Sequence, residues 1–512
     1  MSFHSILFRD AGGPENSPIP SEAPDCFRDL NLDQIVDVVT AGWKDYNLAP
    51  FFYTRLSDLD SVAYRQAVMQ DLEDPAVRGA VDAFARRMRD MRSRLDEVSA
   101  LYYRHAMNRW FVEAVARYCE AVAGLAEDLH RLDPPSPGLR AAGAYLAAYA
   151  DSPAFEALAT GVERIRSTLG AIRYSLLIRG SSVTVRHDAG EADYRAAVEE
   201  TFERFRRGAA KDYRVPLPSP AALNHIEAEV LDRVAQLNPD AFGALEAFCA
   251  AHRDFLDPTI ARFDREIQFY VAWLAHVDRL RRAGLSLCYP HLSRTSKEID
   301  ARDVFDLALA TKLVDAHVPV VCNSFFLRDP ERIFVVSGPN QGGKTTFART
   351  FGQLHYLAAL GCPVPGTLAS LFFCDQLFCH FEREERVESL RGKLQDDLVR
   401  IRRILAQSTP DTIVILNEIF SSTTLQDAVY LGRRIVEQMS ARDLLGVCVT
   451  FLDELASLNE RTVSVVSTID PQNPAVRTYR LERRPADGAA YALALAEKYR
   501  VTYAWLMERI TA

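Results

Sequence analysis

One stretch of eight residues constrains this chain more than any other feature. Residues 338–345, called the glycine loop below, read Gly-Pro-Asn-Gln-Gly-Gly-Lys-Thr and have the form G-x-x-x-x-G-K-T. The apolar run at 332–337 predicts a buried strand, and a phosphate-binding loop requires that strand before it and a helix after it. In such a loop, backbone N–H groups and the lysine bind phosphates, and the threonine hydroxyl ligates Mg²⁺. The sequence therefore predicts a site for ATP and Mg²⁺, with these nucleotide-binding residues: Gly338, Pro339, Asn340, Gln341, Gly342, Gly343, Lys344, Thr345 and Thr346.

A second apolar run, residues 412–416, predicts another buried strand, and two polar residues follow it. Glu418 stands where a P-loop ATPase carries the acid that activates water, so we interpret it as the general base. Asn417 is the expected metal-side residue together with Thr345, with one negative charge fewer than the usual Asp. The hydroxyl-rich residues 421–427 precede a helical pattern. They are interpreted either as N-cap residues or as a site for the γ-phosphate of a second subunit.

Most of the chain before residue 285 has helical periodicity. Two heptad seams indicate long helices: Phe84, Met88, Met91, Leu95, Val98 and Tyr102 in one, and Ile260, Phe263, Ile267, Tyr270, Leu274 and Val277 in the other. Between them, residues 174–187 predict a small hairpin. The basic residues at 204–214 are interpreted as a solvated helix end, or alternatively as a phosphate-contacting patch.

After residue 285, short apolar runs alternate with helical segments, which is typical of an α/β domain with a parallel sheet. The predicted fold class is therefore α plus α/β. We predict a polar leader over residues 1–26, a helical core and lever domain over residues 27–284, and a P-loop α/β ATPase domain over residues 285–512.

Length, charge and cysteine content narrow the classes of function. At 512 residues the chain exceeds what one hydrophobic core usually supports. Its net charge of -9 argues against a protein that coats nucleic acid non-specifically, but leaves local contact with DNA open. Cys374 and Cys379 have no partner pair at zinc-ligand spacing, so neither a metal site nor a disulfide framework is indicated. No window approaches the roughly 18 apolar residues of a membrane span, so we expect no membrane partner and a cytoplasmic location.

These motifs resemble the ATPase domain of the MutS family, DNA mismatch repair proteins related to ABC ATPases. The glycine loop matches the family's GPNxGGK[ST], and residues 417–427 fall where the family has D-E-I-G-R-G-T-S-T-Y-D-G. Residues 318–323 resemble the segment that lines the family's adenine pocket, and residues 490–496 resemble its C-terminal helical dimerisation tail. The resemblance implies an ABC-type ATPase domain in a homodimer, in which Thr424 and Asp427 contact nucleotide bound to the other subunit.

The chain departs from the family pattern at four points. Asn417 replaces the family's Asp, residues 420–422 (Phe-Ser-Ser) replace Gly-Arg-Gly, and Phe451 replaces the switch histidine of Ala-Thr-His. We also expect no N-terminal mismatch-reading domain of the family's kind and no nuclease domain after the ATPase. We therefore expect an altered affinity for the metal, an altered contact with the nucleotide of the other subunit (the trans contact) and altered sensing of ATP. We also expect no mismatch recognition by the usual route.

The resemblance implies an ATPase that hydrolyses ATP to ADP and phosphate and thereby drives a dimeric clamp or lever on DNA, in mismatch repair or a related sensing of DNA structure. Three alternatives stay open, of which a P-loop small-molecule kinase is disfavoured by the long helical region ahead of the glycine loop. The acidic charge balance favours a nucleotide-gated module whose levers grip protein rather than DNA. Asn417 and Phe451 favour a pseudo-ATPase that binds ATP without turnover, whereas Glu418 opposes that alternative.

Overall fold

The computed structural model describes residues 3–9, 20–190, 223–382, 392–470, 472 and 476–486. The basic residues at 204–214 and the predicted tail at 490–496 lie outside these ranges. Contacts divide the chain into two compact units, a helical unit of residues 1–4 and 73–264 and a sheet-containing unit of residues 5–72 and 265–512. Among the described helices, none combines the length and the hydropathy that crossing a membrane requires.

The described elements are numbered here in chain order. The α-helices are α1 (Cys26–Asp29), α2 (Leu32–Thr40), α3 (Ala49–Tyr53), α4 (Leu59–Asp71), α5 (Pro75–Ala100), α6 (Arg104–Leu132), α7 (Pro137–Ala150), α8 (Pro153–Gly170), α9 (His225–Leu237), α10 (Pro239–Ala251), α11 (Pro258–Arg282), α12 (Leu307–Asp315), α13 (Lys344–Ala359), α14 (Lys393–Gln407) and α15 (Leu425–Ala441). The strands are β1 (Tyr174–Arg179), β2 (Ser182–His187), β3 (Leu287–Cys288), β4 (His291–Ser293), β5 (Ile299–Val304), β6 (Asn323–Leu327), β7 (Ile333–Ser337), β8 (Val364–Pro365), β9 (Leu368–Phe372), β10 (Leu377–Phe381), β11 (Ile413–Asn417), β12 (Leu445–Val449), β13 (Thr462–Ile469) and β14 (Arg477–Arg483).

The long helices α5 and α6 pack along each other in the helical unit. The predicted seam of α5 is buried over its first part, at Phe84, Met88 and Met91. It is wrong at its end, because the helix stops at Ala100 and Tyr102 lies beyond it with 95% of its surface exposed. The seam predicted for α11 is confirmed, since all six of its residues are buried.

The helical unit also carries the β1–β2 hairpin, at the place where the sequence predicts one. Its strands pair antiparallel, from Tyr174 opposite His187 to Arg179 opposite Ser182. Gly180 has a φ of +60°, a left-handed conformation that glycine adopts at little cost and that tight hairpin turns require.

The sheet-containing unit is organised around a six-stranded sheet of order β10-β11-β12-β7-β13-β14. The first five strands run parallel, and β14 pairs antiparallel with β13 at the edge. Every residue of β7, β11 and β12 is buried, as expected for central parallel strands covered on both faces. A four-stranded sheet, β4-β9-β5-β6, and the β3–β8 pair complete the unit. The mixed helical and sheet architecture agrees with the predicted fold class.

Three neighbouring strands of this sheet end at the same edge. The glycine loop follows β7, Glu418 follows β11, and Phe451 comes shortly after β12. Because β11, β12 and β7 are adjacent and parallel, their carboxyl ends bring these residues together.

Residues from the start of the chain support the helix that follows the glycine loop. The side chain of Gln353, on α13, donates a hydrogen bond to the Leu30 carbonyl at 2.8 Å. A Cβ added at Gly352 would lie 2.5 Å from Leu30 Cδ2, so a larger residue there would force the Leu30 side chain to move. Residues 5–72 therefore group with the C-terminal part of the chain. The predicted domain limits at 26 and 284 follow sequence patterns rather than these contacts, and they stay predictions.

Candidate functional site

The glycine loop has a backbone that only particular residues adopt easily. Gly338 and Gly343 have φ values of +114° and +95°, and Gln341 has a φ of +60°. A Cβ added at Gly342 would lie 2.1 Å from Ser467 Oγ, so a side chain there would collide with β13. Lys344, within the loop, is the first residue of α13, whose N-terminus carries partial positive charge. Its form suits an anion that lies against backbone N–H groups.

The Lys344 side chain folds back over the glycine loop and is 4% exposed. Its ammonium donates hydrogen bonds to the carbonyl oxygens of Gly338 at 2.8 Å and Pro339 at 3.2 Å. The ring centroid of Phe451 lies 4.3 Å from Nζ, within cation–π range. Burial lowers the pKa of Lys344, while the carboxylate of Glu418 opposes this shift.

Asn417 and Glu418 lie at the end of β11, beside the glycine loop. Asn417 is 7% exposed, and its Oδ1 has no hydrogen-bond partner among the described residues. Glu418 has a φ of +55°, and its N–H donates to the Val449 carbonyl on β12 at 2.9 Å. Burial raises the pKa of the Glu418 carboxyl; the nearby Lys344 ammonium opposes this shift, and the Glu382 carboxylate adds to it.

The glycine loop and the ends of β11 and β12 enclose one cavity of about 490 Å³. It is lined by Leu309, Asn340, Gln341, Gly342, Gly343, Lys344, Thr345, Thr346, Glu418, Phe451 and Tyr479. The cavity thus brings a cation, a carboxylate and a hydroxyl around a glycine-rich backbone. The structure places most of the sequence-predicted loop residues and Glu418 together there.

The residues predicted for a trans contact lie apart from that cavity, at the start of α15. Thr424 is the N-cap, and its Oγ1 accepts a hydrogen bond from the Asp427 N–H at 3.3 Å. The same hydroxyl donates to Asp427 Oδ2 at 2.9 Å. Leu425 beside it is 70% exposed. The N-cap interpretation is therefore confirmed, and neither Thr424 nor Asp427 is among the described residues that line the cavity.

Residues 420–422 are held by contacts on two sides. Phe420 is 1% exposed and belongs to the core beneath α15, even though its φ is +63°. Ser421 Oγ donates to Glu382 Oε1 at 2.8 Å, which fastens the segment to the residue that follows β10. The segment is thus fixed by packing on one side and by a hydrogen bond on the other.

A second, mostly apolar cavity of about 340 Å³ adjoins the glycine loop. Its lining includes residues 318–321 and Asn323, from the segment that resembles the family's adenine-pocket segment, together with Thr346 and Tyr479. The Asn323 side chain donates to the Tyr479 carbonyl at 3.1 Å and accepts from the Leu481 N–H at 2.9 Å. Asn323 therefore fixes β14 against this cavity. Sequence patterns had not indicated Tyr479.

Among the residues that the structure describes, the cysteines and the histidine near β10 form no metal centre. His380 lies within β10, is 1% exposed and binds Asp397 Oδ1 through Nε2 at 3.0 Å. No cluster of three His, Cys, Asp or Glu side chains suited to a metal ion occurs among the described residues. Cys379 and His380 both lie in β10, an edge strand of the six-stranded sheet.

Comparison with known proteins finds a family model and several proteins that match part of this chain. The family model described as MutS domain V matches residues 334–500. Proteins named Endonuclease MutS2 are also similar to part of this chain: the Thermus thermophilus protein is 28% identical over 185 residues, 35% of this chain and 24% of the relative. The Gemmatimonas aurantiaca protein is 30% identical over 175 residues, 33% and 21% of the two chains. A Lactococcus lactis subsp. cremoris protein is 29% identical over 220 residues, 41% and 27%.

The matched stretch contains the site described above. It begins within β7 and includes the glycine loop, Glu418 and Phe451. The chain spans about a quarter of the length of these relatives. In its C-terminal part, the chain thus carries a region that matches domain V of the MutS family.

Proposed function

We propose that this protein binds ATP with Mg²⁺ at the glycine loop and hydrolyses it to ADP and phosphate. The observation that carries the proposal is the shared cavity, in which the loop, the Lys344 ammonium and the Glu418 carboxylate face one space. The adjoining apolar cavity suits a nucleotide base, because it offers apolar walls and the exposed ring of Tyr479.

The glycine loop fits a polyphosphate. At Gly342 an added Cβ would collide with Ser467. Because glycine has no side chain, the N–H groups of the loop backbone can approach anionic oxygens closely. Lys344 already directs its ammonium across the loop through the Gly338 and Pro339 carbonyls. In the proposed complex, that ammonium exchanges carbonyl contacts for phosphate oxygens.

Thr345 and Asn417 would hold the metal ion. The donor set fits Mg²⁺, because a hydroxyl and an amide oxygen are hard ligands, and Asn417 Oδ1 is a buried acceptor that lacks a partner among the described residues. When bound, Mg²⁺ neutralises charge that develops on the phosphate oxygens. Asn417 contributes no negative charge, so we expect weaker metal binding than an Asp at this position would give.

Glu418 is the proposed general base. Its pKa is raised by burial, which makes it a better acceptor for the proton of an attacking water than an ordinary glutamate. The Lys344 ammonium keeps the carboxylate form accessible. The backbone bond from Glu418 to Val449 holds the residue at the cavity.

The exposed start of α15 is the proposed contact with a second copy of the chain. Thr424 and Asp427 lie at a helix N-terminus, which favours anions, and they are exposed beside Leu425. We propose a homodimer in which these residues reach the nucleotide of the partner, so that nucleotide binding and association depend on each other.

The proposed output is a movement of the helical unit on DNA. The relatives are named endonucleases, and the long helices α5 and α6 offer levers of the kind that the resemblance implies. A second candidate is a pseudo-ATPase. It is favoured by Asn417 and by the Phe451 ring that covers the Lys344 ammonium.

Phosphate release from ATP by the purified chain tests these proposals, with and without duplex and branched DNA. Lys344→Ala should abolish nucleotide binding, whereas Glu418→Gln should retain binding but abolish turnover. Turnover that changes with DNA and disappears in both variants supports the DNA-coupled ATPase. If the rate of phosphate release is the same with and without every DNA tested, the result points to a protein partner. Nucleotide binding without turnover supports the pseudo-ATPase. A steep salt dependence of DNA affinity would mark phosphate contacts.

A further inference from the structure

Two side chains of the β13–β14 pair bind carbonyl oxygens of the glycine loop. Ser467, on β13, is fully buried, and its Oγ donates a hydrogen bond to the Gly342 carbonyl at 2.6 Å. Arg477, the first residue of β14, donates from Nε to the Asn340 carbonyl at 3.2 Å. Both donors come from more than a hundred residues further along the chain.

These bonds fix the direction of two amide groups. A trans peptide is planar, with its C=O and N–H pointing in opposite directions. Because Ser467 holds the Gly342 carbonyl toward β13, the N–H of Gly343 in the same peptide points away from β13. In the same way, Arg477 holds the peptide between Asn340 and Gln341, which carries the Gln341 N–H. The orientation of two loop amides thus depends on residues outside the loop.

The close fit between the loop and Ser467 supports a specific contact. A Cβ at Gly342 would meet Ser467 Oγ at 2.1 Å, and a Cβ at Gly338 would meet the backbone N and O of Ser467 at 3.0 Å. The pairing of β13 with β14 shifts register between Ser467 and Ile469. Such an irregularity redirects side chains locally, and here the serine hydroxyl meets the loop.

We propose that Ser467 and Arg477 are positioning residues, which hold the loop amides in the orientation that binds the nucleotide phosphates. This inference rests on the proposed nucleotide site. The same strand pair reaches the apolar cavity through Tyr479 and Leu481. The β13–β14 pair therefore contacts both the phosphate end and the base end of the proposed site.

The test compares two serines of one strand. Ser464, also on β13, has a buried Oγ without a hydrogen-bond partner among the described residues, so Ser464→Ala is the matched control for Ser467→Ala. Affinity of the full chain for a fluorescent ribose-labelled ATP analogue is measured for each variant, with the thermal midpoint. Loss of one buried hydrogen bond predicts affinity about tenfold weaker for Ser467→Ala, and affinity within about twofold of wild type for Ser464→Ala.

A second variant keeps the test decisive if Ser467→Ala does not fold. Arg477 lies at the partly buried start of β14, and Arg477→Gln should weaken binding of the analogue about threefold to tenfold. For both positioning variants, KM for ATP should rise while kcat changes by less than about twofold, because ground state and transition state lose the same contact.

The outcomes separate this inference from the proposed function. If wild-type protein does not bind the analogue, the nucleotide site itself is wrong. If wild-type protein binds, but Ser467→Ala and Arg477→Gln bind as tightly, the inference is overturned. A lower thermal midpoint for Ser467→Ala with unchanged affinity overturns it as well, because the serine would then only stabilise the fold.

Discussion

At the residue scale, Asn417 offers a direct measurement of the proposed metal site. Asn417→Asp adds a negative charge where the buried Oδ1 has no partner among the described residues. Coulomb attraction to Mg²⁺ should then lower the Mg²⁺ concentration for half-maximal phosphate release about tenfold. Asn417→Ala should raise that concentration, since it removes the oxygen. Equal Mg²⁺ dependence in all three proteins would show that residue 417 does not serve the metal.

The site residues that could be predicted from the sequence are those fixed by local order. The glycine loop and Glu418 each follow a short apolar run directly, so a strand and its end were visible together. Ser467 and Arg477 carry no local signal. Their contacts with the loop arise from the pairing of β13 with β7 and β14, which joins parts of the chain far apart in sequence.

At the element scale, the start of α15 allows capping to be separated from a trans contact. Thr424→Ala removes the cap and should lower the free energy of unfolding by about 1 kcal/mol. Thr424→Asn restores a capping oxygen, and Thr424→Ser keeps both the cap and the hydroxyl. If the hydroxyl contacts the partner's nucleotide, ATP turnover should fall in the Ala and Asn variants and persist in the Ser variant. Turnover that recovers with stability in Thr424→Asn would contradict the trans contact.

Secondary-structure elements could be predicted from the sequence where their residues are buried in a regular pattern. The strands β7 and β11 are buried along their whole length and appear as plain apolar runs. The α5 seam failed at Tyr102 because heptad spacing continues for two residues after the helix has ended. Residues 101–103 follow an extended backbone, and the apolar ring there is exposed to solvent. The heptad spacing of apolar residues does not by itself show where the backbone hydrogen bonds of a helix end.

At the scale of the whole molecule, the compact units do not follow the order of residues along the chain. The sequence pattern changes from helical to α/β near residue 285, yet residues 5–72 belong to the sheet-containing unit. The link is made by single contacts such as Gln353 to the Leu30 carbonyl. Such contacts depend on tertiary packing, and no periodicity in residues 5–72 marks them.

Two buried histidines of the sheet-containing unit predict how stability depends on pH. Burial lowers the pKa of His276 and of His355 to about 4, against an unfolded value near 6.5. The unfolded chain therefore binds more protons between these values, so stability is full above about pH 6.5 and falls as the pH drops toward 4. The loss at pH 5 should be about 2 kcal/mol for each histidine.

His355→Gln removes one titrating ring and keeps a donor for the Phe351 carbonyl, which His355 Nδ1 now contacts at 2.8 Å. Urea unfolding of this variant should lose about 2 kcal/mol less than wild type between about pH 7.5 and pH 5, since all other groups titrate equally in both proteins. An equal loss in the two proteins would mean that His355 is protonated as easily in the folded chain as in the unfolded one.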